Sequence, residues 1–255
     1  MKLSGNTVLI TGGSSGIGLA LAEGFAGRGS RVIVCGRTEE KLLQAQQRVP
    51  GLAYLKADVA DAADRRRLLD WVEAEHPDTN VLVNNAGIQR RVQLTDGAEA
   101  INTGEIALNL EAPIHLTALF LPRFLRQAEQ GRSPAIINVT SGLGYVPLAA
   151  TPIYGATKAG LQAFTQALRH QIRGRGIEVV DLAPPAVDTP LLQGALKPNG
   201  GSGPPTITPE QYVKDALRAL EKGRSEVRIG GAQLLYVLNR LAPRLGFRLL
   251  NRLAS

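Results

Sequence analysis

The chain has 255 residues, of which 44% are hydrophobic and 20% are charged. This length and composition predict a single domain over residues 1–255, large enough to bury a full core. The formal net charge of +7 would suit an acidic partner, but the sequence has no aromatic stacking platform and no recognised nucleic-acid motif, which argues against nucleic acid.

The cysteine and histidine content and the first five residues further limit the class of protein that this chain can be. A lone cysteine, Cys35, cannot form an internal disulfide, and its apolar strand-like surroundings predict a buried thiol. The three histidines are not paired at ligand spacing, so no metal site is expected. Residues 1–5 are too short and polar for a secretory signal, and no stretch approaches the ~20 apolar residues of a membrane span. We therefore expect a cytoplasmic protein.

The first element is a strand, followed by a glycine-rich turn and a helix. Residues 6–10 are rich in strand formers, and an amphipathic helix runs from the turn to about Arg28. Such a turn binds a pyrophosphate through backbone amides and the helix N-terminus, and glycines allow the phosphates to approach closely. The turn predicts dinucleotide binding by Thr11, Gly12, Ser14, Ser15, Gly16, Ile17 and Gly18.

The end of the second strand indicates which dinucleotide is bound. A carboxylate there would bind the ribose 2′-hydroxyl of NAD(H) and repel the 2′-phosphate of NADP(H). This chain has Arg37 instead, whose planar guanidinium matches a phosphate. NADP(H) is therefore preferred over NAD(H), unless Arg37 is only a solvated loop charge. After the third strand, Asp58 and Val59 would lie near the adenine, although Asp58 could instead cap the following helix.

Seven strand-like runs alternate with helical stretches along the chain. This alternation predicts an α/β fold in which one doubly wound parallel sheet has helices on both faces. The runs lie near residues 8–10, 32–35, 53–56, 81–83, 136–139, 179–182 and 227–229.

Tyr154, Lys158 and Ser141 together predict an acid–base site for a carbonyl or an alcohol. Residues four apart share a helix face, so the Lys158 ammonium would favour the ionised form of the Tyr154 phenol, whose ordinary pKa is about 10. Ser141 would polarise the substrate oxygen, with Thr140 as the alternative hydroxyl. A Tyr–Lys pair at this spacing is common by chance, so the prediction depends on the dinucleotide loop upstream.

Residues 190–208 are predicted to be a lid over the substrate. The stretch from Lys197 to Pro205 is turn-forming and poorly suited to a packed core, although a featureless linker would look similar. The apolar lining of the pocket is expected from Leu191, Leu192 and Leu196 on one side and Leu143, Tyr145 and Val146 on the other. This lining favours an apolar carbonyl or alcohol substrate.

Residues 234–255 form a basic, leucine-rich tail. Arg240, Arg244, Arg248 and Arg252 are spaced four apart, and Pro243 predicts two short helices rather than one. The tail could pack across a subunit interface of a homodimer or homotetramer, which we favour, or lie on an anionic membrane surface.

In these landmarks the sequence resembles the short-chain dehydrogenase/reductase family, up to about residue 190. The shared motifs are Thr11-Gly12-x-x-x-Gly16-x-Gly18, Asp58-Val59, Asn84-Asn85-Ala86-Gly87, Asn109, Ser141, Tyr154-x-x-x-Lys158 and the segment leading to Thr189. Residues 84–90, residues 182–189 and the tail are most similar to the DltE-type oxidoreductase branch.

The resemblance implies a role for each matching residue. Tyr154 would be the general acid/base, Lys158 a ribose ligand that lowers the Tyr154 pKa, Ser141 the group that orients the carbonyl, and Asn109 the holder of a relay water. The cofactor would also contact Asn85, Ala86, Gly87, Pro184, Val187 and Thr189. The family usually has Pro-Gly where this chain has Pro184-Pro185, so a stiffer wall is expected there.

The function predicted from the sequence is NADP(H)-dependent oxidation or reduction of a carbonyl/alcohol small molecule. The alternative is an NADP(H)-binding regulator or scaffold that attaches to a membrane or partner through the Arg/Leu-rich tail.

Overall fold

The computed structural model of the chain describes residues 1–97, 101, 104–196 and 205–253. Within these residues one sheet contains seven parallel strands: β1 (Thr7–Thr11), β2 (Arg31–Gly36), β3 (Ala53–Lys56), β4 (Val81–Asn84), β5 (Ala135–Val139), β6 (Glu178–Ala183) and β7 (Glu226–Arg228). Their order is β3-β2-β1-β4-β5-β6-β7, so the winding reverses between β1 and β4. The predicted doubly wound Rossmann sheet is confirmed.

Helices connect the strands and cover both faces of the sheet. They are α1 (Gly16–Ala26), α2 (Glu39–Arg48), α3 (Ala62–Glu75), α4 (Ala112–Glu129), α5 (Pro152–Gln171), α6 (Pro190–Leu196), α7 (Pro209–Glu221), α8 (Gly231–Leu241) and α9 (Pro243–Leu253). Short 3₁₀ turns occur at Leu94–Asp96 and Gly142–Gly144.

The strands are apolar on both sides because each face of the sheet packs against helices. On one face, Phe25 of α1 and Tyr212 of α7 are fully buried against the sheet. On the other face, Leu68 of α3, Phe120 of α4 and Leu168 of α5 belong to a second buried cluster. The two cores hold the carboxyl ends of the strands in a fixed arrangement.

A π-helical turn at Ala107–Glu111 precedes α4 and contains Asn109. The Asn109 Oδ1 accepts a hydrogen bond from the Ile88 N–H at 2.9 Å, and its Nδ2 donates to the Ile88 carbonyl at 2.8 Å. The extra residue of a π-turn is common near functional sites. Here it directs the amide of Asn109 at the backbone that follows β4.

The C-terminal segment folds into a helical hairpin, with the break at Pro243 that the sequence predicts. The two helices approach closely at Gly246, where a Cβ would lie 3.3 Å from the Cβ of Leu238. The described part of the chain contains no helix that is both long enough and apolar enough to cross a bilayer.

Candidate active site

A cavity of about 1050 Å³ lies where the sheet reverses its winding. Its walls include residues that follow the carboxyl ends of all seven strands, among them Gly12, Arg37, Ala86, Ser141 and Pro184. Open α/β sheets bind their ligands at this edge, beside the switch point.

The glycine-rich turn closes one end of the cavity. Gly12 has a φ of 64°, and a Cβ there would lie 2.9 Å from the Ala86 Cα. A Cβ on Gly18 would lie 2.3 Å from the Gly12 carbonyl oxygen and 2.5 Å from the Asn85 Nδ2. Such distances exclude any side chain, so glycine is needed for α1 to pack against the turn. Ser15, the N-cap of α1, makes no side-chain capping bond, which leaves the first amides of α1 available to an anion.

Thr11 and Asn85 fasten this turn to the segment after β4. The Thr11 hydroxyl accepts hydrogen bonds from the N–H groups of Asn85 and Ala86, each at 3.0 Å. The Asn85 Nδ2 donates to the carbonyls of Thr11 and Gly12 at 2.9 and 3.2 Å. Thr11 does not line the cavity, so it can affect a ligand only indirectly, by positioning the backbone that it binds.

Cationic side chains surround the end of β2. Arg37 is 60% exposed, and its Nη1 lies 3.9 Å from the Asp58 Oδ2. Lys41, in the first turn of α2, also lines the cavity. The Asp58 Oδ1 accepts from the Ala60 N–H at 3.0 Å, whereas the N-cap of α3 is Asp61. The alternative that Asp58 caps this helix is therefore wrong.

Tyr154 and Lys158 project from α5 to the cavity wall, where they are 6% and 4% exposed. The Lys158 Nζ lies 5.7 Å from the centre of the Tyr154 ring and donates to the Val139 carbonyl at 2.8 Å. Ser141 follows β5 and hydrogen-bonds the Tyr154 phenol through its hydroxyl. Thr140, the alternative hydroxyl, donates instead to the Asp181 Oδ1 at 2.5 Å. The geometry therefore favours Ser141 over Thr140.

Burial dominates the electrostatics of this group. It raises the pKa of the Tyr154 phenol to about 12, against the hydrogen bond with Ser141, and the Glu105 carboxylate raises it further. Burial also lowers the pKa of Lys158 to about 8, against the attraction of Asp181. The expected net lowering of the Tyr154 pKa is not seen in this arrangement, because desolvation of the phenol prevails. A neutral phenol is the form that can donate a proton.

A row of polar side chains crosses the sheet on the α5 face. Asn84, Asn138, Asp181 and Glu226 are register partners on four neighbouring strands, so their side chains share one face. The Asn84 Nδ2 donates to the Asn138 Oδ1 at 2.8 Å, and the Asn138 Nδ2 donates to the Thr165 hydroxyl of α5 at 2.9 Å. The row anchors α5 to the sheet.

Asp181 connects this row to the C-terminal hairpin. Its Oδ2 accepts a hydrogen bond from the Tyr145 hydroxyl at 3.4 Å, and that hydroxyl accepts one from the Arg228 Nε at 3.0 Å. The Arg228 guanidinium also lies 3.8 Å from the centre of the Tyr236 ring of α8. Burial raises the pKa of the Asp181 carboxyl, against the hydrogen bond from Thr140. Asp181 thus joins the strand ends, the Ser141 turn and α8.

The far end of the cavity is apolar, with walls from three parts of the chain. The lining includes Leu143, Leu148, Leu191, Leu192, Leu234, Leu235, Leu238, Leu249 and Leu250. Two predicted lining residues are misplaced: Val146 is buried away from the cavity, and Tyr145 turns toward Asp181 and Arg228.

The predicted lid is described only in part. Its first part is α6, and its turn-forming residues 197–204 lie outside the described residues. Ile207 returns to the sheet edge, where its N–H donates to the Ala186 carbonyl at 3.2 Å and its carbonyl accepts from the Asp188 N–H at 2.9 Å. The described end of the segment is therefore anchored to the sheet edge, and the choice between a lid and a linker for the rest stays a prediction.

Comparison with known proteins identifies the family. Residues 6–199 match the family model of the short chain dehydrogenases, which is most of the chain. The chain belongs to the short-chain dehydrogenase/reductase family. An uncharacterized oxidoreductase of Bacillus subtilis, DltE, is 46% identical over 229 residues, which cover 89% of each chain. The predicted resemblance to the DltE-type branch is confirmed.

Solved structures of short-chain dehydrogenases share the fold. The enzyme of Sphingobium yanoikuyae, in complex with NADPH, is 30% identical with a TM-score of 0.77 and covers 87% of each chain. A family member of Burkholderia phymatum, in complex with NAD, has a TM-score of 0.83 over 94% of each chain. At 21% identity the second likeness shows the fold alone. The family thus brings a nicotinamide dinucleotide site without fixing the choice between NAD(H) and NADP(H).

Most site residues predicted for this short-chain dehydrogenase converge on one cavity. Those that line it are Gly12, Ser14, Ser15, Gly16, Ile17, Gly18, Arg37, Asp58, Val59, Asn85, Ala86, Gly87, Ser141, Tyr154, Lys158, Pro184, Val187 and Thr189. Asn109 does not line it, because both polar atoms of its amide bind Ile88. Pro185 does line the wall, and a Cβ on Gly231 would lie 3.7 Å from the Pro185 Cβ, so the second proline abuts α8.

Sequence reasoning missed several groups that shape the site. Lys41 could have been found, because it lies one helical turn after Arg37. Asp181 could also have been found, as a carboxylate inside the apolar run Val179–Ala183. No local signal identifies Glu105, which approaches Tyr154 only through the fold.

Proposed function

We propose that this protein is an NADP(H)-dependent oxidoreductase that interconverts a carbonyl and an alcohol on an apolar substrate. The observation that carries the proposal is the convergence of Ser141, Tyr154 and Lys158 on the cavity that also contains the glycine-rich turn and Arg37. A binding protein would need the turn alone, whereas the buried hydroxyl, phenol and ammonium together are suited to moving a proton.

The residues present fit a nicotinamide dinucleotide. Gly12 and Gly18 tolerate no side chain, and the uncapped amides at the start of α1 suit a pyrophosphate. Arg37 and Lys41 suit a 2′-phosphate on the adenosine ribose, and Asp58 and Val59 lie on the same wall. When bound, the reduced nicotinamide supplies the hydride.

Each polar residue has a separate task in the proposed reduction. Ser141 donates a hydrogen bond to the substrate carbonyl and fixes its position. Tyr154 donates its phenolic proton to the same oxygen as a C–H bond forms at the carbonyl carbon, and oxidation is the reverse. The Lys158 ammonium stabilises the phenolate that remains and hydrogen-bonds the ribose. Asn109, whose side-chain amide is bound to Ile88, would be the holder of the relay water.

Replacement of Arg37 by serine should lower kcat/KM for NADPH about tenfold to a hundredfold, because a charge-assisted hydrogen bond to a phosphate is lost. The value for NADH should change little. Steady-state kinetics with both cofactors measures the preference. Arg66→Ser, an exposed arginine on α3, is the matched control. An equal loss with both cofactors would mean that Arg37 does not read the 2′-phosphate.

The pH dependence of kcat/KM for NADPH should follow the ionisation of Lys158. Because burial lowers its pKa to about 8, kcat/KM for NADPH is expected to be flat below that pH and to fall above it as the ammonium loses its proton. The Asp181 carboxylate raises that pKa, so Asp181→Asn should move the fall to lower pH. Asp70→Asn, on the exposed side of α3, should leave the profile in place. An unchanged profile in Asp181→Asn would refute the coupling.

The apolar end of the cavity favours a bulky or long-chain aldehyde or ketone over a sugar or an acid. The first test is the oxidation of NADPH and NADH by the purified protein with a panel of aldehydes, ketones and quinones of increasing chain length. Rising kcat/KM with apolar size would support the substrate class. Tight cofactor binding without turnover on any member would favour the regulator instead. The cytoplasmic location and the homodimer or homotetramer stay predictions.

A further inference from the structure

The α8–α9 hairpin has a one-sided charge. Residues 231–253 contain four arginines and no aspartate or glutamate. Arg244, Arg248 and Arg252 follow one another at four-residue spacing along α9, so they form one stripe. No carboxylate of the hairpin itself can neutralise that stripe.

Exposed apolar side chains are concentrated on the same hairpin. Of ten exposed large apolar side chains in the described part of the chain, six belong to it. Leu241 is 80% exposed, and Leu234 and Leu245 are each 60% exposed. Leu234, Val237 and Leu241 share one face of α8 by their spacing of three and four. Such a concentration marks a surface that a partner covers.

The hairpin is nevertheless held in place against the enzyme body. A Cβ on Gly142 would lie 3.1 Å from the Leu235 Cδ1, so α8 packs directly on the turn after Ser141. On α9, the Asn251 Oδ1 accepts from the Ala149 N–H at 2.6 Å, and its Nδ2 donates to the Pro147 carbonyl at 3.2 Å. The apolar face is therefore presented at a defined angle.

The exposed face is continuous with the cavity. Leu234 and Leu249 line the cavity and are also exposed, at 60% and 47%. Leu241 and Leu245 flank Pro243 at the tip of the hairpin and do not line the cavity. A surface that covered the hairpin would thus meet the apolar mouth of the site.

The charge of the hairpin distinguishes the two partners that could cover it, a second copy of the chain and a lipid surface. A two-fold interface centred on the hairpin would bring the patch onto itself, because isologous contacts pair identical surfaces. The arginine stripe would then face its own copy with no hairpin carboxylate between, and interface cores are depleted of charge. An anionic lipid surface offers phosphates to the arginines and an apolar layer to the leucines.

We propose that the α8–α9 hairpin docks the protein on an anionic membrane surface, with Leu241 and Leu245 in the interfacial layer and Arg244, Arg248 and Arg252 on the lipid phosphates. The docking itself does not depend on the proposed function. The consequence of docking for substrate entry does depend on the proposed function. Docking turns the cavity mouth at Leu234 and Leu249 toward the lipid, from which an apolar carbonyl compound enters.

The test is co-sedimentation of the full chain with vesicles of phosphatidylcholine alone or of equal parts phosphatidylcholine and phosphatidylglycerol. The protein should partition onto the anionic vesicles at least about tenfold more strongly, and added salt should weaken the binding. Leu241→Ser/Leu245→Ser and Arg244→Gln/Arg248→Gln/Arg252→Gln should each lower partitioning at least about tenfold. Thermal melting and NADPH titration establish that the variants are folded.

Matched controls separate docking from the general attraction of a basic protein. Arg66→Gln/Arg126→Gln/Arg173→Gln removes the same charge from exposed positions on the body, and Leu43→Ser removes an exposed leucine of α2. Both should bind as the unmodified chain does. Equal losses in these controls, or no binding by the unmodified chain, would overturn the proposal.

Oligomeric state identifies the competing occupant. Light scattering could show an oligomer that the Leu241→Ser/Leu245→Ser variant no longer forms. If the unmodified chain also fails to bind vesicles, the hairpin binds a second copy and the proposal is wrong. Vesicle binding by a protein that reduces no carbonyl would leave the docking standing and refute the proposed function alone.

Discussion

Replacement of Tyr154 by phenylalanine is expected to lower kcat about 10²–10⁴-fold for any carbonyl substrate, while the dissociation constant for NADPH changes little. The ring would still fill its buried place on α5, where Tyr154 is 6% exposed. Only the phenolic hydroxyl is lost, together with its transferable proton and the hydrogen bond to Ser141. Turnover by absorbance and NADPH titration by fluorescence measure the two quantities on one preparation.

Tyr54→Phe is the matched control, because it makes the same chemical change on β3, away from the cavity. It should turn over at the rate of the unmodified protein. If Tyr154→Phe retains turnover within a factor of about three, another group supplies the proton and the assignment of the general acid fails.

Gly18→Ala is expected to weaken NADPH binding at least about a hundredfold and to lower the melting temperature. The new Cβ would lie 2.3 Å from the Gly12 carbonyl oxygen and 2.5 Å from the Asn85 Nδ2. The turn and α1 must therefore separate, which displaces the amides that would bind the pyrophosphate. Fluorescence titration and a thermal melt with and without NADPH measure both effects.

Gly194→Ala on α6 is the control, because a Cβ there meets nothing within 4 Å. It should melt and bind NADPH as the unmodified chain does. Near-normal affinity in Gly18→Ala would mean that the turn is not the pyrophosphate site.

The fold could be predicted because each strand has a local signal. The apolar run of β1 and the alternation of strands with helices require a parallel sheet with two covered faces. The break between the two C-terminal helices at Pro243 could also be predicted, because proline lacks the N–H that a continuous helix needs.

Parts of the site could not be read from local patterns, because they depend on which side chains the fold buries together. The ionisation of Tyr154 is one example: the helix spacing to Lys158 predicted a lowered pKa, whereas burial raises it. Tyr145 is another, because its hydroxyl finds partners on β6 and β7 rather than in the cavity. Long-range burial and pairing decided both.

Isotope transfer tests the central claim most directly. In two separate reactions, the protein is supplied with NADPH that carries deuterium on one face of C4 or on the opposite face. Each reaction contains an apolar aldehyde or ketone that the protein consumes, and the alcohol product is analysed by mass spectrometry. The account predicts one deuterium on the former carbonyl carbon from one of the two labelled cofactors and none from the other. Consumption of NADPH without deuterium in any alcohol product, from either cofactor, would contradict it.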